Sequence, residues 1–270
     1  MHNFITVTGR RVDIAPMTGV HEKIVIAGMK SLQDSFQVGR RLFGQLVTPT
    51  PIWEHMYLGE EVDLLYLVRL ASLRNMCVFS AKCPSCGKSD DYQVDIRNFR
   101  RTPYKCSNEE CPCHDPELNN YSREAVTQNS NPRATIDWSR IPEDHLVKFP
   151  TKRMFTTDDG NNKIVGRPML AKFQAEIGSW MQSESLDIIT NSIAKMVVSI
   201  DEIEDRDNIE AILNTMTTWD RYQIRDYMAD REGGVDNTVK ITCTKCSAQS
   251  QATVPMSSSF FLRKQLRSKD

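Results

Sequence analysis

The sequence predicts an α+β fold made of two similar units, and three observations lead to this expectation. A chain of 270 residues that is 40% hydrophobic and 26% charged can bury a globular core. Its segments follow one order twice: a hairpin, three helices, a strand, a Cys-x-x-Cys pair and another strand. Both cysteine pairs stand between strands, as in zinc knuckles. We therefore expect an internal duplication of this hairpin–three-helix–strand–CxxC–strand unit, joined by structural zinc.

The first unit is expected over residues 1–99 and contains the first zinc knuckle. Phe4–Val7 and Val12–Ala15 flank a Gly-Arg-Arg turn and predict a hairpin. Apolar periodicity and the breaker residues between segments predict three helices, at Val20–Leu32, Phe36–Leu46 and Leu58–Leu73. Strands at Met76–Ala81 and Tyr92–Ile96 enclose the knuckle cysteines, Cys83 and Cys86.

The second unit is expected over residues 146–262 and contains the second knuckle. Arg153–Thr157 and Lys163–Gly166 flank the segment Asp158-Asp159-Gly160-Asn161, which is a strong hairpin signal. Three helices are predicted to follow, at Leu186–Val198, Arg206–Met216 and Asp220–Asp230. Strands at Thr238–Thr242 and Ala252–Met256 enclose the second cysteine pair, Cys243 and Cys246.

Two further segments complete the expected organisation. Residues 100–145 form a cysteine-containing insertion rich in Asn, Pro, Ser and Glu. Residues 263–270 form a basic C-terminal tail, and the apolar stretch Phe260-Phe261-Leu262 precedes it. We expect this stretch to belong to the core. In the alternative, the two aromatic rings anchor the last strand while the tail reaches an acidic groove on a neighbouring protein.

The cysteines are predicted to bind Zn²⁺. The first residues lack the apolar core of a signal peptide, so we expect synthesis in the cytoplasm, where cysteines serve as metal ligands more often than as disulfides. Zn²⁺ takes four tetrahedral ligands, so each knuckle supplies half a site. The favoured scheme, in which the two matching knuckles share one ion, uses four thiolates: Cys83, Cys86, Cys243 and Cys246.

The insertion leaves an alternative open. If the knuckles share one ion, a second, Cys3His site could form from Cys106, Cys111, Cys113 and His114. If they do not, Cys83 and Cys86 would instead form a local ribbon with Cys106 and Cys111. A closed site with four protein ligands is structural in either scheme. Cys77 lies in an apolar strand and is predicted to be a buried small hydrophobe.

Composition and motifs narrow the class of protein. The formal net charge of −1, from 34 basic and 35 acidic residues, lacks the basic excess typical of nucleic-acid binders. No apolar run approaches the roughly 18 residues of a membrane-spanning helix. No phosphate-binding, dinucleotide-binding or nucleophile-elbow motif occurs, so we do not expect an enzyme. A zinc-ribbon accessory protein that binds nucleic acid is the competing prediction.

Several motifs, taken in their order along the chain, resemble a known family. They are the N-terminal hairpin with Pro16-Met17, the Leu64–Leu73 helix leading to Cys83-Pro-Ser-Cys-Gly87, and the stretch from Gly233-Gly234-Val235-Asp236 through Cys243-x2-Cys246 to Ser259-Phe260-Phe261-Leu262. In this order the chain is similar to the baseplate hub subunits of T4-like contractile-tail bacteriophages. Residues 100–144 depart from that pattern.

The resemblance implies a structural tail-assembly protein without catalytic activity or a small-molecule substrate. Its expected partners are other phage tail and baseplate proteins, and its expected location is the tail baseplate of the virion. The family pattern supplies no active-site residues.

Overall fold

The computed structural model describes residues 1–31, 35–73, 75–107, 146–149, 163–174, 176, 188–256 and 258–262. Helices and strands are mixed along the chain, as expected for an α+β protein. The predicted strand Arg153–Thr157, its turn at residues 158–161, and the basic tail 263–270 lie outside the described residues. The same holds for Cys111, Cys113 and His114. No described helix has both the length and the hydropathy needed to cross a membrane.

The first part of the chain forms a three-stranded antiparallel sheet of order β1–β2–β3. Its strands are β1 (His2–Ile5), β2 (Arg11–Ile14) and β3 (Val47–Thr48). β1 and β2 confirm the predicted hairpin. Three helices accompany the sheet: α1 (Gly19–Lys30), α2 (Ser35–Leu46) and α3 (Leu58–Ser72). Each lies close to its predicted range, and α2 runs directly into β3.

The first knuckle hairpin follows α3. It consists of β4 (Met76–Lys82) and β5 (Ser89–Asp95). A third strand, β6 (Arg100–Thr102), comes next and pairs with a strand from near the end of the chain. Short 3-10 turns stand before α3 and after β5, at Trp53–His55 and Ile96–Asn98.

A second three-stranded antiparallel sheet has the order β7–β8–β9. Its strands are β7 (Val147–Lys148), β8 (Ile164–Gly166) and β9 (Val197–Ile200). A 3-10 turn at Ala171–Phe173 and three helices belong to this part: α4 (Ile188–Met196), α5 (Arg206–Thr215) and α6 (Thr218–Ala229). The prediction of a helix through Val198 was wrong at its end, because β9 begins at Val197, which pairs with Gly166 of β8, and Val198 lies at an irregularity in the register.

The last described strands return to the first part of the chain. They are β10 (Gly234–Asp236), β11 (Thr238–Thr242) and β12 (Gln249–Thr253), followed by a 3-10 turn at Ser258–Phe261. β10 pairs with β6, and β11 pairs with β12 as the second knuckle hairpin. The predicted strand at Thr238–Thr242 is confirmed.

The described residues form two hydrophobic cores, and the first contains residues from both the N-terminal and the C-terminal parts of the chain. It joins side chains of β2 through Phe99 to four residues of the C-terminal region: Ile241, Val254, Phe260 and Phe261. The second core is built between Tyr104 and Met228. The guanidinium of Arg69 in α3 donates to the carbonyl of Phe260 and lies over its ring, 4.7 Å from the ring centroid. Packing of the C-terminal turn therefore brings the second knuckle beside the first.

Candidate metal centre

The first knuckle is a tight turn between β4 and β5. The amide of Cys83 donates to the carbonyl of Lys88 at 2.9 Å, and the amide of Gly87 donates to the carbonyl of Cys83 at 2.9 Å. Gly87 has a φ of 70°, in the left-handed region that glycine adopts without steric cost. This turn holds the side chains of Cys83 and Cys86 on one side of the hairpin end.

The second knuckle repeats these contacts at the equivalent positions. The amide of Cys243 donates to the carbonyl of Ala248 at 2.9 Å, and the amide of Ser247 donates to the carbonyl of Cys243 at 2.9 Å. Ser247 takes the place of Gly87 and has a φ of 60°. A serine in this conformation carries a strain that glycine avoids, so the turn is held by its surroundings.

The two turns meet and bring four thiols together. Cys83 Sγ lies 3.8 Å from Cys246 Sγ, and Cys86 Sγ lies 3.8 Å from Cys243 Sγ. All four sulfurs lie within 4.8 Å of one another. A regular tetrahedron with Zn–S bonds of about 2.3 Å has its sulfurs about 3.8 Å apart. A disulfide would instead need about 2.05 Å. The thiol spacing therefore fits a four-coordinate metal ion.

The four cysteines differ in exposure. Cys83 and Cys243 are buried, Cys86 is half-buried, and Cys246 is exposed. The cluster thus lies at the protein surface with one side covered by the hairpins. Four thiolates complete a tetrahedral shell and leave no position for a water or a substrate, which is the arrangement of structural sites.

Backbone amides pointing at sulfur stabilise negative charge in the cluster. The pKa of the Cys83 thiol is lowered, mainly because the backbone amide of Cys86 hydrogen-bonds to its sulfur. The amide of Lys245, 3.4 Å from Cys243 Sγ, is the main cause that lowers the pKa of Cys243 to about 6. At Cys246 the amide of Ala248 lowers the pKa of the thiol. The hydrogen bonds with the neighbouring cysteines together outweigh this effect and raise the pKa to about 12. The amides thus favour the thiolate form of Cys83 and Cys243, which is the form that binds metal.

Residues around the thiols link the two knuckles further, and the sequence did not point to them. The hydroxyl of Thr244 in the second knuckle donates to the carboxylate of Asp90 in β5. Tyr92 of β5 is buried nearby, and burial together with the charge on Cys243 raises the pKa of its phenol. No sequence signal singles out Asp90, Tyr92 or Thr244, because their contacts join two hairpins that are far apart in the sequence.

The remaining predicted ligands do not join this group. Cys106 is half-buried and packs against the second core, and it is not among the four clustered thiols. Cys111, Cys113 and His114 lie outside the described residues, so a site built on the insertion stays a prediction. Cys77 of β4 is buried, as its apolar surroundings indicated, and burial raises the pKa of its thiol.

A second group of chemically notable residues stands at the start of α3, and the sequence did not predict it. Three fully buried carboxylates lie there, each facing an arginine: Glu60 faces Arg10, Glu61 faces Arg40, and Asp63 faces Arg101. Glu60 also accepts from the hydroxyls of Thr6 and Thr8 in the β1–β2 turn. Because each carboxylate is matched by an arginine, the group forms a structural network that connects the β1–β2 turn, α2, α3 and β6.

The chain was compared with protein-family models, with curated proteins and with solved structures, and none of them matched. No family therefore assigns a role to the cysteine cluster. Its role has to follow from the chemistry of the four thiols and from their position between two distant hairpins.

Proposed function

We propose that the four cysteines bind one structural Zn²⁺, and that the chain is a non-catalytic assembly protein of a contractile phage tail. The thiol spacing of 3.8 Å carries the metal part of the proposal. Thiolate donors favour Zn²⁺ over Mg²⁺ and Ca²⁺, which prefer oxygen ligands. A closed shell gives the ion a role in stability and leaves no open position for chemistry.

The ion would connect parts of the chain that are far apart in sequence. Cys86 and Cys243 are 157 positions apart. In the chain-entropy model, a cross-link that closes a loop of this length stabilises the folded state by about 5 kcal/mol. Two-stranded hairpins are only marginally stable by themselves. Zinc therefore supplies the stability that two small, polar hairpins lack.

The equivalence of the two knuckles supports an internal duplication, which forms part of the proposal. Val78 opposes Gln93 in the first hairpin, and the equivalent residue Thr238 opposes Thr253 in the second. Each half also has a three-stranded sheet whose last strand directly follows a helix. If the units are equivalent, replacing the loop 243–248 by the sequence of 83–88 should preserve zinc binding. Loss of zinc from that chimera would argue against duplication.

Metal analysis tests the zinc site first. We expect at least one zinc per purified chain in reducing buffer, and a content well below one equivalent would refute the proposal. A second equivalent would indicate that the insertion binds its own ion. Since the ligands bind as thiolates, zinc should be released as the pH falls, because protons then compete for the sulfurs.

Cobalt substitution tests which cysteines share the ion. Cys243→Ser should remove the four-thiolate Co²⁺ spectrum, including the contribution of Cys83 and Cys86. Cys106→Ser is the matched control, because Cys106 is half-buried but lies outside the cluster, and it should keep that spectrum. The opposite pattern, with loss in Cys106→Ser and retention in Cys243→Ser, would establish the local ribbon.

Assembly into a baseplate hub is supported by the resemblance of the motifs and by the non-catalytic character of a closed metal site. In a phage that carries a tagged copy, the chain should co-sediment with tails or with hub intermediates. The Cys243→Ser chain should be depleted from that fraction if the zinc centre is needed for docking. Absence of the tagged wild-type chain from all tail fractions would refute the hub role. Salt-dependent retention on DNA would favour the nucleic-acid-binding alternative.

A further inference from the structure

Along the outer edge of β12, some backbone groups have no hydrogen-bond partner among the described residues. The amide of Val254 donates to the carbonyl of Asn237, and the amide of Cys243 donates to the carbonyl of Ala248. Because hydrogen-bonded pairs alternate along an antiparallel ladder, these two bonds set which β12 residues face β11. The three that face away from it are Gln249, Gln251 and Thr253. Within the described part of the chain, their outward amides and carbonyls make no hydrogen bond.

The other edges of the two knuckle hairpins are protected by charges or by side-chain contacts. On β5, the strand equivalent to β12, the outward positions include Asp91 and Asp95, and the amide of Asp91 donates to Asp90 Oδ1 at 2.9 Å. On β11 the amide of Thr238 donates to Asp236 Oδ1 at 3.0 Å, and Lys240 is exposed. On β4 the carbonyl of Met76 accepts from Arg69 at 3.1 Å.

β12 has none of these protective features. Its five residues, Gln-Ser-Gln-Ala-Thr, contain no charge and no proline. Charged side chains and prolines are the usual means by which proteins keep an edge strand from pairing with another chain. The two knuckle hairpins thus share one register but differ at the equivalent edge, which is acidic on β5 and uncharged on β12.

We infer that β12 pairs antiparallel with β12 of a second copy of this chain, about a twofold axis at Gln251. In this register Gln249 opposes Thr253, Ser250 opposes Ala252, and Gln251 opposes itself. All three outward-facing residues then form hydrogen-bonded pairs, with roughly six backbone hydrogen bonds in total. No charged side chain opposes another. The edge is therefore complementary to itself, as a twofold contact requires.

The residues on either side of β12 limit the pairing to Gln249–Thr253. Pro255 occupies the next outward position and has no amide to donate. At the other end, Ser247 turns the backbone away into the knuckle. Pairing converts two separate hairpins into one four-stranded sheet, which is more stable than either alone. A dimer built in this way carries one cysteine centre on each side of its twofold axis. Such self-association goes beyond the proposed hub role and does not depend on it.

Sedimentation velocity of the zinc-loaded full chain, over concentrations up to about 1 mM, tests the pairing. The wild type should show a concentration-dependent monomer–dimer equilibrium. Gln251→Lys places two like charges opposite each other at the axis and should weaken the dimer by about fivefold or more. Thr238→Lys is the matched control, because Thr238 is exposed on the outer edge of β11, and it should dimerise like the wild type.

Cysteine cross-linking gives a second measurement that does not depend on dimer affinity. Hydrogen-bonded antiparallel pairs have Cα atoms about 5.5 Å apart, which suits a disulfide. Under mild oxidation Gln251→Cys should form covalent dimers, while Lys240→Cys on β11 should stay at the wild-type background. A wild type that remains monomeric at every concentration, or equal cross-linking of the two cysteine variants, would overturn the inference.

Discussion

The buried ion pair between Asp63 of α3 and Arg101 of β6 should be one of the most sensitive points of the fold. Arg101 Nε lies 2.5 Å from Asp63 Oδ1, and Arg101 Nη2 lies 2.6 Å from Asp63 Oδ2. Both side chains are almost completely excluded from solvent. Arg101 also donates to the carbonyl of Ile5 at 2.6 Å, and Asp63 accepts from the amide of Val7 at 2.9 Å. The pair thus connects three segments of the first part of the chain.

Replacing only one partner leaves the other charge buried without its counter-ion. Arg101→Met should therefore lower the free energy of unfolding by about 3–5 kcal/mol, and Asp63→Leu by a similar amount. The double variant removes both charges but leaves the buried amide of Val7 unsatisfied, which costs about 1–3 kcal/mol. The double variant should consequently be more stable than the sum of the single effects predicts, with a coupling energy of about 3 kcal/mol or more.

Urea unfolding of the zinc-loaded proteins, followed by far-ultraviolet circular dichroism, measures these differences. Arg97→Met is the control, because Arg97 forms a similar forked pair with Asp95 but is exposed to solvent. Solvent screening should make its effect on stability small. If Arg101→Met destabilises the protein no more than Arg97→Met, the buried pair is not a structural link and the reasoning fails.

Three further predictions follow from local contacts. Gly59→Ala should strongly destabilise the fold, because a Cβ would overlap the carbonyl of Gly233; an unchanged melting temperature would contradict this close approach. Phe261→Ala should cost about 3–5 kcal/mol in unfolding free energy, since the ring is fully buried in the first core, and a cost below about 1 kcal/mol would place the ring outside it. Burial raises the pKa of Glu232, so its charge opposes folding as the pH rises above the ordinary glutamate range. Glu232→Gln should therefore raise the free energy of unfolding at neutral pH and raise it much less in acid. Urea unfolding at several pH values measures this, and a gain that does not depend on pH would contradict the role of the buried charge.

Local elements were largely predictable because their causes lie within a few neighbouring residues. The capping contacts between Thr18 and His21 and the apolar pattern that follows them specify where α1 begins. Each Cys-x-x-Cys likewise specifies its own knuckle turn. The end of α4 was missed for the same reason, because the apolar pattern continues across Met196 into β9 and does not reveal the change from helix to strand.

Local sequence patterns could not predict that the acidic residues of α3 are buried. Glu60, Glu61 and Asp63 stand in the first turns of a helix, where acidic residues are usually solvated and favourable to the helix dipole. Their arginine partners come from other parts of the chain: Arg10 from the β1–β2 turn, Arg40 from α2 and Arg101 from β6.

The sequence by itself determined the α+β character, most helix positions, both knuckle turns and the thiol chemistry they carry. The tertiary structure alone decided that Cys83 and Cys86 lie against Cys243 and Cys246, since sequence spacing also allowed a local ribbon with Cys106 and Cys111. The contact between the two cysteine pairs depends on the C-terminal turn, whose Phe260 and Phe261 pack against the helices of the first part. The physical reason is range: turns and helices form from contacts a few residues apart, whereas a site shared by distant hairpins exists only once the hydrophobic core has brought them together.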